Sequence, residues 1–348
     1  MRGSRSREVL VAAHHAGASG HDAELADPAL AEWGRAMADA LDARVLRPRA
    51  AAARAPRGLL RAPIVILTSP AQWWLTRCFP RAVFFYYAID NYALGYGWTP
   101  AQVTRWERRI VRRCARVVAV STALAAELAR RHALPARQLV VSPNAVPAEL
   151  IAPQPAPRRR FTTAAPPLAG VLGRISGRLR LTWLCEAVAA LPWLHWRFAG
   201  AVDEAELEPG DGDALAWLRR HPRCQFLGRL PYRELVRQAG AVDVGVVPYS
   251  DRSTNPWGSP ARLFMHLAAG RPVLGTAGCA QLAEFAPLVT LCDDAPTLVA
   301  SLDALRRCEF DDGLQAARLA AAREHTWARR AALMAALIAD VGAPARAA

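Results

Sequence analysis

The sequence predicts an α/β protein with two domains, each built around a parallel β-sheet with helices on both faces. Short apolar runs alternate with amphipathic stretches, which is typical of strands and helices that follow one another in such a sheet. The length of 348 residues exceeds the roughly 250–300 residues at which a single core usually stops growing. A proline-rich stretch near the middle of the chain indicates where the two domains meet.

Six short apolar segments in the first half are predicted strands. They cover residues 8–13, 44–46, 64–68, 83–89, 116–120 and 138–141. Residues 28–41 place apolar side chains at spacings of three and four, which predicts an amphipathic helix. Ser121 is expected to cap a second helix, which carries Leu124 and Leu128. We therefore predict a Rossmann-like domain over residues 1–150.

The second half repeats this pattern after a segment without periodicity. Prolines and three consecutive arginines mark residues 151–167 as a linker. Strands are predicted at 168–172, 196–199, 225–227, 243–247 and 272–275. Helices are predicted at 181–191, 260–269, 297–305, 314–323 and 327–338. A second Rossmann-like domain is expected over residues 168–324.

The composition narrows the class of protein. The seven cysteines include no C-x-x-C pair, so neither a disulfide framework nor a zinc site is indicated. No run approaches the roughly 18 apolar residues that span a bilayer. The opening residues lack the hydrophobic region of a signal peptide. We therefore expect a cytoplasmic protein.

The net charge of +14 has more than one explanation. A basic surface attracts nucleic acid, anionic lipid or an anionic substrate. Compositional bias explains it equally well, since all 44 lysine or arginine positions are arginine. No nucleic-acid partner is expected, because no aromatic platform or groove-reading motif accompanies the arginines. Trp73 and Trp74 in the basic first half favour docking on an anionic membrane surface, although core packing explains this pair as well.

Ligands of open α/β sheets bind beyond the carboxyl ends of the strands, so the residues there are candidate site residues. The first strand is followed by a glycine-containing loop with His15, which either approaches a ligand or is a solvated turn. Asp90 directly follows the fourth strand. It is a candidate general base, or else a structural residue that caps a turn.

Two loops of the second half are candidates for binding a diphosphate. The strand at 168–172 leads into Gly173, Arg174 and Arg178, where a small residue allows close approach and guanidinium groups can hold phosphates; a solvated arginine face is the alternative. The strand at 243–247 leads to Tyr249 and an irregular loop. The following helix is expected to begin with Ser259 as its N-cap and to end at Gly270.

A D-x-D pair at Asp211 and Asp213 has the form that metal-dependent sugar transferases use. No predicted strand precedes this pair to fix its position, so we expect no metal site there.

Several of these segments resemble the GT-B glycosyltransferases, especially the family-four-like enzymes that build polysaccharides and glycolipids. The resemblance rests on three stretches, residues 116–146, 226–235 and 259–273. It implies two Rossmann-like domains whose sheets face each other across a cleft, and a terminal segment, residues 325–348, that crosses back onto the first domain. It also implies a nucleotide-sugar donor, a saccharide or lipid-linked acceptor, and no cofactor.

The resemblance also implies roles for individual residues. Arg174 and Arg262 would contact the donor phosphates. Asp90 matches an acidic position of related polysaccharide transferases, where it would act as base or orient the acceptor. His15 is a second catalytic candidate, since some inverting GT-B enzymes place a histidine in the first loop. The donor sugar, the nucleotide base and the stereochemical outcome stay open.

The sequence departs from the family pattern at the donor ribose. Met265 stands where the family has a glutamate that binds the ribose, and Trp257 stands where it has a companion glutamate. Because a thioether cannot replace a carboxylate as acceptor, ribose recognition differs, His266 compensates, or activity is lost. A binding or scaffold protein with a decayed GT-B site is therefore the alternative to a cytoplasmic enzyme at the inner face of the membrane.

Overall fold

The computed structural model describes residues 9–12, 28–41, 44–46, 64–94, 96–156 and 161–342. The chain forms two compact units, residues 1–143 with 327–348 and residues 144–326. The segment 151–167 lies within the second of these units. Each unit contains one six-stranded sheet. Among the described helices, none has the length and apolar character needed to cross a membrane.

The sheet of the first unit is parallel throughout, with strand order β2-β1-β3-β4-β5-β6. Its strands are β1 (Val9–Ala12), β2 (Arg44–Leu46), β3 (Ile64–Leu67), β4 (Val83–Ala88), β5 (Cys114–Ala119) and β6 (Leu139–Val141). The six predicted strands of this half are confirmed, and their ends move by at most two residues. Strand β3 is buried along its whole length, as expected of a central strand in a parallel sheet.

Two of the helices in the first unit begin at side-chain caps. They are α1 (Pro28–Leu41), α2 (Leu75–Cys78), α3 (Pro100–Val111) and α4 (Thr122–His132). The Ser121 hydroxyl accepts a hydrogen bond from the Leu124 amide at 3.0 Å, which confirms the predicted cap of α4. Thr99 and Gln102 form a capping box at the start of α3. The C-terminal helix, Trp327–Gly342, belongs to the same unit and packs against α1.

The sheet of the second unit is also parallel, with strand order β12-β11-β10-β7-β8-β9. Its strands are β7 (Leu168–Leu172), β8 (His195–Ala199), β9 (Cys224–Phe226), β10 (Val244–Val247), β11 (Val273–Thr276) and β12 (Val289–Cys292). The first five were predicted. Strand β12 was missed because its four residues at the sheet edge are too few to show a period.

The helices of the second unit are α5 (Leu181–Ala190), α6 (Asp211–Arg220), α7 (Tyr232–Gly240), α8 (Ala261–Ala268), α9 (Ala280–Glu284), α10 (Ala295–Arg307) and α11 (Gln315–Glu324). The C-terminal helix is therefore α12. Helix α8 ends as predicted, because Gly270 follows it with φ of +68°, a left-handed conformation that glycine adopts without strain.

Candidate functional site

The second sheet has a topological switch point between β7 and β10. From β7 the chain proceeds to β8 and β9 on one side, and it then returns to β10, β11 and β12 on the other side. The loops that leave the carboxyl ends of β7 and β10 therefore diverge, and a crevice opens between them. Gly173 and Arg174 follow β7, whereas Tyr249 and helix α8 follow β10. Most of the predicted donor residues thus come from the two loops at this point.

Arg262, in the first turn of α8, has a buried guanidinium group that is only partly paired. The residue is 6% exposed. Its Nη2 donates to the Arg174 carbonyl at 2.7 Å, and its Cζ lies 4.9 Å from the centre of the Tyr249 ring. Within the described residues, Nη1 is buried and has no hydrogen-bond partner, and no carboxylate pairs with this side chain. A buried cation without a counter-ion is costly unless an anion joins it.

The electrostatics around Arg262 are consistent with a charge that is only partly compensated. Burial lowers the pKa of Arg262 from its usual value, Tyr249 raises it in part, and the nearby positive charges of Arg178 and Arg174 lower it again. A bound anion would raise this pKa, since it would place an opposite charge beside the buried guanidinium. The group is therefore suited to a phosphate, which accepts hydrogen bonds from a guanidinium in a forked geometry.

Gly173 is required for this arrangement. Its φ is +90°, and a Cβ at this position would lie 3.3 Å from Arg262 Nη2. The neighbouring Gly200 packs so closely that an added Cβ would lie 2.1 Å from the Gly173 carbonyl oxygen. The side chain of Arg262 thus makes the close approach that was predicted at Gly173. A side chain at position 173 would disturb this contact.

Arg178 reaches the same aromatic ring from the other loop. Its Cζ lies 6.0 Å from the centre of the Tyr249 ring, and its Nε donates to Asn255 Oδ1 at 2.7 Å. The Asn255 side-chain amide donates in turn to the carbonyls of Arg178 and Ser250, at 2.8 and 2.9 Å. Asn255, which is fully buried, therefore ties the two loops together. No separate signal in the sequence indicates this role.

The backbone of Arg174 lies beside Arg262, but its guanidinium group points toward Asp203 and Glu206. Its Nη1 lies 3.5 Å from Asp203 Oδ2 and 3.4 Å from Glu206 Oε1, and its side chain is 40% exposed. The backbone carbonyl of Arg174 is what holds Arg262. Of the predicted arginines, Arg178 and Arg262 converge on Tyr249, whereas Arg174 forms solvent-exposed ion pairs.

The prediction that Ser259 caps α8 is wrong. The helix begins at Ala261, Pro260 occupies the cap position, and no side chain caps this end. The Ser259 hydroxyl instead donates to Gln281 Oε1 at 2.7 Å and accepts from the Asn144 amide at 2.8 Å. Because these partners engage the hydroxyl, it is not available to the helix amides. Ser259 thereby fixes the segment that enters α8.

His266 and Met265 are both buried in α8. The His266 ring packs on β10, where a Cβ on Gly245 would lie 2.3 Å from its Cγ. Both ring nitrogens are buried and have no partner among the described residues. The structure thus places the His266 ring against the sheet, and among the described residues no hydrogen bond joins it to Arg178 or Arg262. Burial, together with the positive charge of Arg262, lowers the pKa of His266 to about 3.

This burial predicts a pH dependence of stability. A histidine in the unfolded chain binds a proton below about pH 6.5, whereas His266 in the folded protein stays neutral down to about pH 3. The unfolded state therefore binds more protons in this window, and folding stability falls as the pH is lowered. Between pH 7 and pH 5 this one group is expected to remove about 2 kcal/mol from the free energy of unfolding.

The variant His266→Leu, which has a similar volume and cannot titrate, checks this expectation. Urea unfolding at pH 7 and pH 5 should show a smaller loss of stability for the variant than for the parent protein. Equal losses in the two proteins would show that His266 is protonated in the folded state.

The D-x-D pair lies in the first turn of α6. The carboxylate of Asp211 is 3.4 Å from Arg252 Nη1 and accepts from the Glu208 amide at 3.2 Å. Across the part of the chain that the structure describes, no group of three or more His, Cys, Asp or Glu side chains is placed to hold a metal ion.

In the first unit, Asp90 lies just after β4 and is 7% exposed. Its Oδ1 accepts from the Asn91 amide at 2.9 Å, and its Oδ2 accepts from the Tyr96 hydroxyl at 2.6 Å. Asn91 Oδ1 accepts from Arg131 Nη2 at 2.7 Å. The carboxylate is therefore held in one orientation at the carboxyl edge of the sheet. His15, the other catalytic candidate, lies outside the described residues.

A buried charge network supports the loop that carries Asp90. The fully buried carboxylate of Glu107 accepts from Arg131 Nη1 at 2.9 Å and from the Tyr86 hydroxyl at 3.2 Å. His132 Nε2 lies 2.9 Å from the same carboxylate. Burial raises the pKa of the Tyr86 hydroxyl, and the charge of Glu107 raises it further. Sequence reasoning missed this network, because Arg131 and His132 end a helix where basic residues are usually solvated.

Two family models match successive parts of the chain. The model for Glycosyltransferase Family 4 matches residues 5–150, and the model described as Glycosyl transferase-like matches residues 178–336. Among curated proteins, the teichuronic acid biosynthesis glycosyltransferase TuaH of Bacillus subtilis (strain 168) is 28% identical over 173 residues. This match covers 49% of the chain and 42% of TuaH, and so it spans less than half of that relative.

Solved structures share the fold over most of the chain. Anabaena Alr3699/HepE, in complex with UDP and glucose, superposes with a TM-score of 0.70 at 12% identity and covers 96% of this chain and 99% of its own. A glycosyltransferase from Rickettsia africae ESF-5 gives a TM-score of 0.66 at 12% identity, over 97% and 98% of the two chains. The predicted architecture of two parallel-sheet domains is thereby confirmed.

Proposed function

The chain has the GT-B fold, with two domains that match glycosyltransferase family models, and from this premise we propose that it transfers a sugar from a nucleotide diphosphate sugar to a hydroxyl acceptor. The observation that carries the proposal is the buried guanidinium of Arg262, whose Nη1 has no partner in the described structure. It lies at the switch point of the second sheet, where ligands of such sheets bind.

The chemistry of sugar transfer explains why this site would hold unpaired positive charge. Departure of a nucleoside diphosphate places negative charge on the leaving phosphate. Arg262 and Arg178 are fixed around the Tyr249 ring before any ligand arrives, so no reorganisation is needed when this charge develops. The first-turn amides of α8 add a favourable dipole. In this proposal the arginines stabilise the leaving group, and the enzyme uses neither a metal nor a cofactor.

The relatives support a choice of donor and acceptor for this proposal. The Anabaena structures hold UDP, glucose or UDP-glucose, so a UDP-sugar is the first donor to test. TuaH is named for teichuronic acid biosynthesis, which supports a role in the synthesis of a cell-surface polysaccharide or glycolipid. The acceptor would then be a saccharide or a lipid-linked saccharide. Asp90, with its carboxylate fixed by Tyr96 and Asn91, would take the acceptor proton or orient the acceptor.

A release assay tests the reaction. Purified protein is incubated with UDP-, GDP-, dTDP- and CMP-linked sugars, and the released nucleotide is measured. Release from one donor that stops in Arg262→Met supports transfer chemistry at this site. Asp90→Asn should lower acceptor-dependent release by about 100-fold or more without changing donor affinity. Donor binding without release, also in the presence of saccharide acceptors, would instead favour the scaffold protein, which the Met265 and Trp257 positions make the main alternative.

We further propose that the first unit docks on an anionic membrane at the cytoplasmic face. Helix α3 and the two residues that follow it expose arginines at 105, 108, 109, 112 and 113. In the described structure none of them forms an ion pair with a carboxylate. Arg109 and Arg77 lie over the Trp73 ring, with Cζ at 4.2 and 5.3 Å from its centre. Clustered arginines next to a partly exposed tryptophan suit the lipid headgroup region.

Vesicle sedimentation checks this docking. Replacement of Arg108, Arg109, Arg112 and Arg113 by glutamate should abolish sedimentation with vesicles that contain phosphatidylglycerol. A control variant carries the same change in net charge at Arg219, Arg220, Arg306 and Arg307, which are exposed in the second unit. It should still bind. Unchanged binding of the α3 variant, or equal loss in both variants, would refute a specific surface on α3.

A further inference from the structure

Three aromatic side chains next to Asp90 form a continuous, partly exposed surface in the first unit. The rings of Tyr96 and Trp98 are nearly parallel, with an interplanar angle of 22° and centres 6.2 Å apart. Trp106 of α3 meets Trp98 edge to face at 5.5 Å. Each of the three residues keeps part of its surface accessible. We call these residues, Tyr96, Trp98 and Trp106, the aromatic shelf.

The aromatic shelf is held from beneath by buried groups. Tyr92 is 1% exposed, its ring centre lies 4.8 Å from that of Tyr96, and its hydroxyl donates to the Thr68 carbonyl at 2.6 Å. The loop that begins this segment is fixed by the hydrogen bond from Arg131 to Asn91. A surface with so many fixed groups is organised before a ligand binds, so little conformational entropy is lost on binding.

The shelf also has a polar group in a fixed position. The Tyr96 hydroxyl donates to Asp90 Oδ2 at 2.6 Å, so the carboxylate lies at the polar edge of an otherwise aromatic surface. Small-molecule sites combine apolar and aromatic walls with a few convergent polar groups of this kind. Asp90 and the aromatic shelf together therefore have the composition of a small-molecule binding site and not only that of a hydrophobic core.

We propose that the aromatic shelf binds a pyranose ring of the acceptor, and that Asp90 meets a hydroxyl at the rim of that ring. A pyranose presents a face of C–H groups, which packs on aromatic rings, and an edge of hydroxyl groups, which needs polar partners. The shelf supplies the first surface and Asp90 the second. This inference rests on the proposed transfer reaction, and it names the part of the first unit that recognises the acceptor sugar.

Saturation-transfer difference NMR tests the site without requiring turnover. The probes are the methyl pyranosides of glucose, galactose, N-acetylglucosamine and glucuronic acid, each added to the full-length protein. At least one probe should receive saturation on its ring protons, and this signal should disappear in Trp98→Ala and in Trp106→Ala. Trp217→Ala is the matched control, because Trp217 is an exposed tryptophan of the second unit. It should keep the signal.

A conservative variant separates stacking from misfolding. Trp98→Phe keeps an aromatic ring and is expected to retain at least half of the signal that Trp98→Ala loses. Equal signals in the parent protein and both alanine variants would overturn the inference, and so would the absence of signal with every probe. UDP is titrated into the same samples. If UDP binds normally while the shelf fails these tests, the acceptor site is wrong and the proposed donor site stands.

Discussion

Replacement of Arg262 by methionine is expected to abolish binding of nucleoside diphosphates without destabilising the unliganded protein. Removing one partner of a buried charged contact costs about 2–5 kcal/mol of binding free energy, which is roughly thirtyfold to several thousandfold in Kd. In the unliganded protein the same guanidinium is buried and has no carboxylate partner within the described residues. A methionine of similar volume removes this desolvated charge, so the free energy of unfolding should stay the same or rise.

Arg318 provides the matched control. It is 1% exposed, and its guanidinium is fully engaged, since it pairs with the Asp312 carboxylate through two nitrogens and donates to the Leu288 carbonyl at 2.9 Å. Arg318→Met leaves a carboxylate and a carbonyl without their partner, and about 3–5 kcal/mol of stability should be lost. Nucleotide affinity of the remaining folded protein should not change.

Urea unfolding of the ligand-free variants and calorimetric titration with UDP measure both quantities. The two buried arginines should then show opposite behaviour, one needed for binding and the other for stability. If Arg262→Met is as destabilised as Arg318→Met, Arg262 is a structural residue and its unpaired nitrogen does not mark an anion site.

Replacement of Arg131 by methionine is expected to destabilise the first unit by about 3–5 kcal/mol. The change removes the arginine that lies 2.9 Å from the fully buried carboxylate of Glu107, and this charge keeps only its contacts with the Tyr86 hydroxyl and His132 Nε2 among the described residues. It also removes the hydrogen bond that holds Asn91, so the loop with Asp90 should loosen as well. The apolar side chain of methionine cannot compensate, because the loss of stability comes from the charge of Glu107 that stays buried.

The neighbouring Arg130 is a close control on the same helix. The Nη2 of Arg130 lies 2.9 Å from Glu127 Oε1, but the Arg130 side chain is 74% exposed. Arg130→Met should therefore change stability by no more than about 0.5 kcal/mol. Thermal unfolding of the two variants decides the matter, since equal and small effects at both positions would mean that Glu107 is neutral or solvated in the folded protein.

The fold was predictable because its signals are local. Strands such as β3 and β7 are short apolar runs, and the cap at Ser121 needs only the next three residues. The errors arose where a local signal was weak or misleading. Strand β12 has four residues at a sheet edge, and Ser259 looks like a helix cap in the sequence but is engaged by Asn144 and Gln281 from distant parts of the chain.

The candidate site was predictable in its location and less so in its contacts. Parallel strands bring their carboxyl ends to one edge, so Gly173, Tyr249 and Arg262 could be placed together from the predicted strand ends and the family resemblance. The directions of individual side chains depend on tertiary partners. Arg174 turns toward Asp203 and Glu206, and His266 lies against Gly245 in the neighbouring strand. The spacing of residues in the sequence predicts neither contact.

The central claim is that the switch point of the second unit binds the diphosphate of a nucleotide sugar, and a thermal-shift titration tests it most directly. The parent protein and Arg262→Met are titrated with UDP-, GDP-, dTDP- and CMP-linked sugars. At about 100 times Kd a ligand stabilises its protein by roughly 2.7 kcal/mol. We expect one nucleotide class to raise the melting temperature of the parent protein by several degrees and that of the variant not at all. No shift with any donor, or an equal shift in the variant, would contradict the claim.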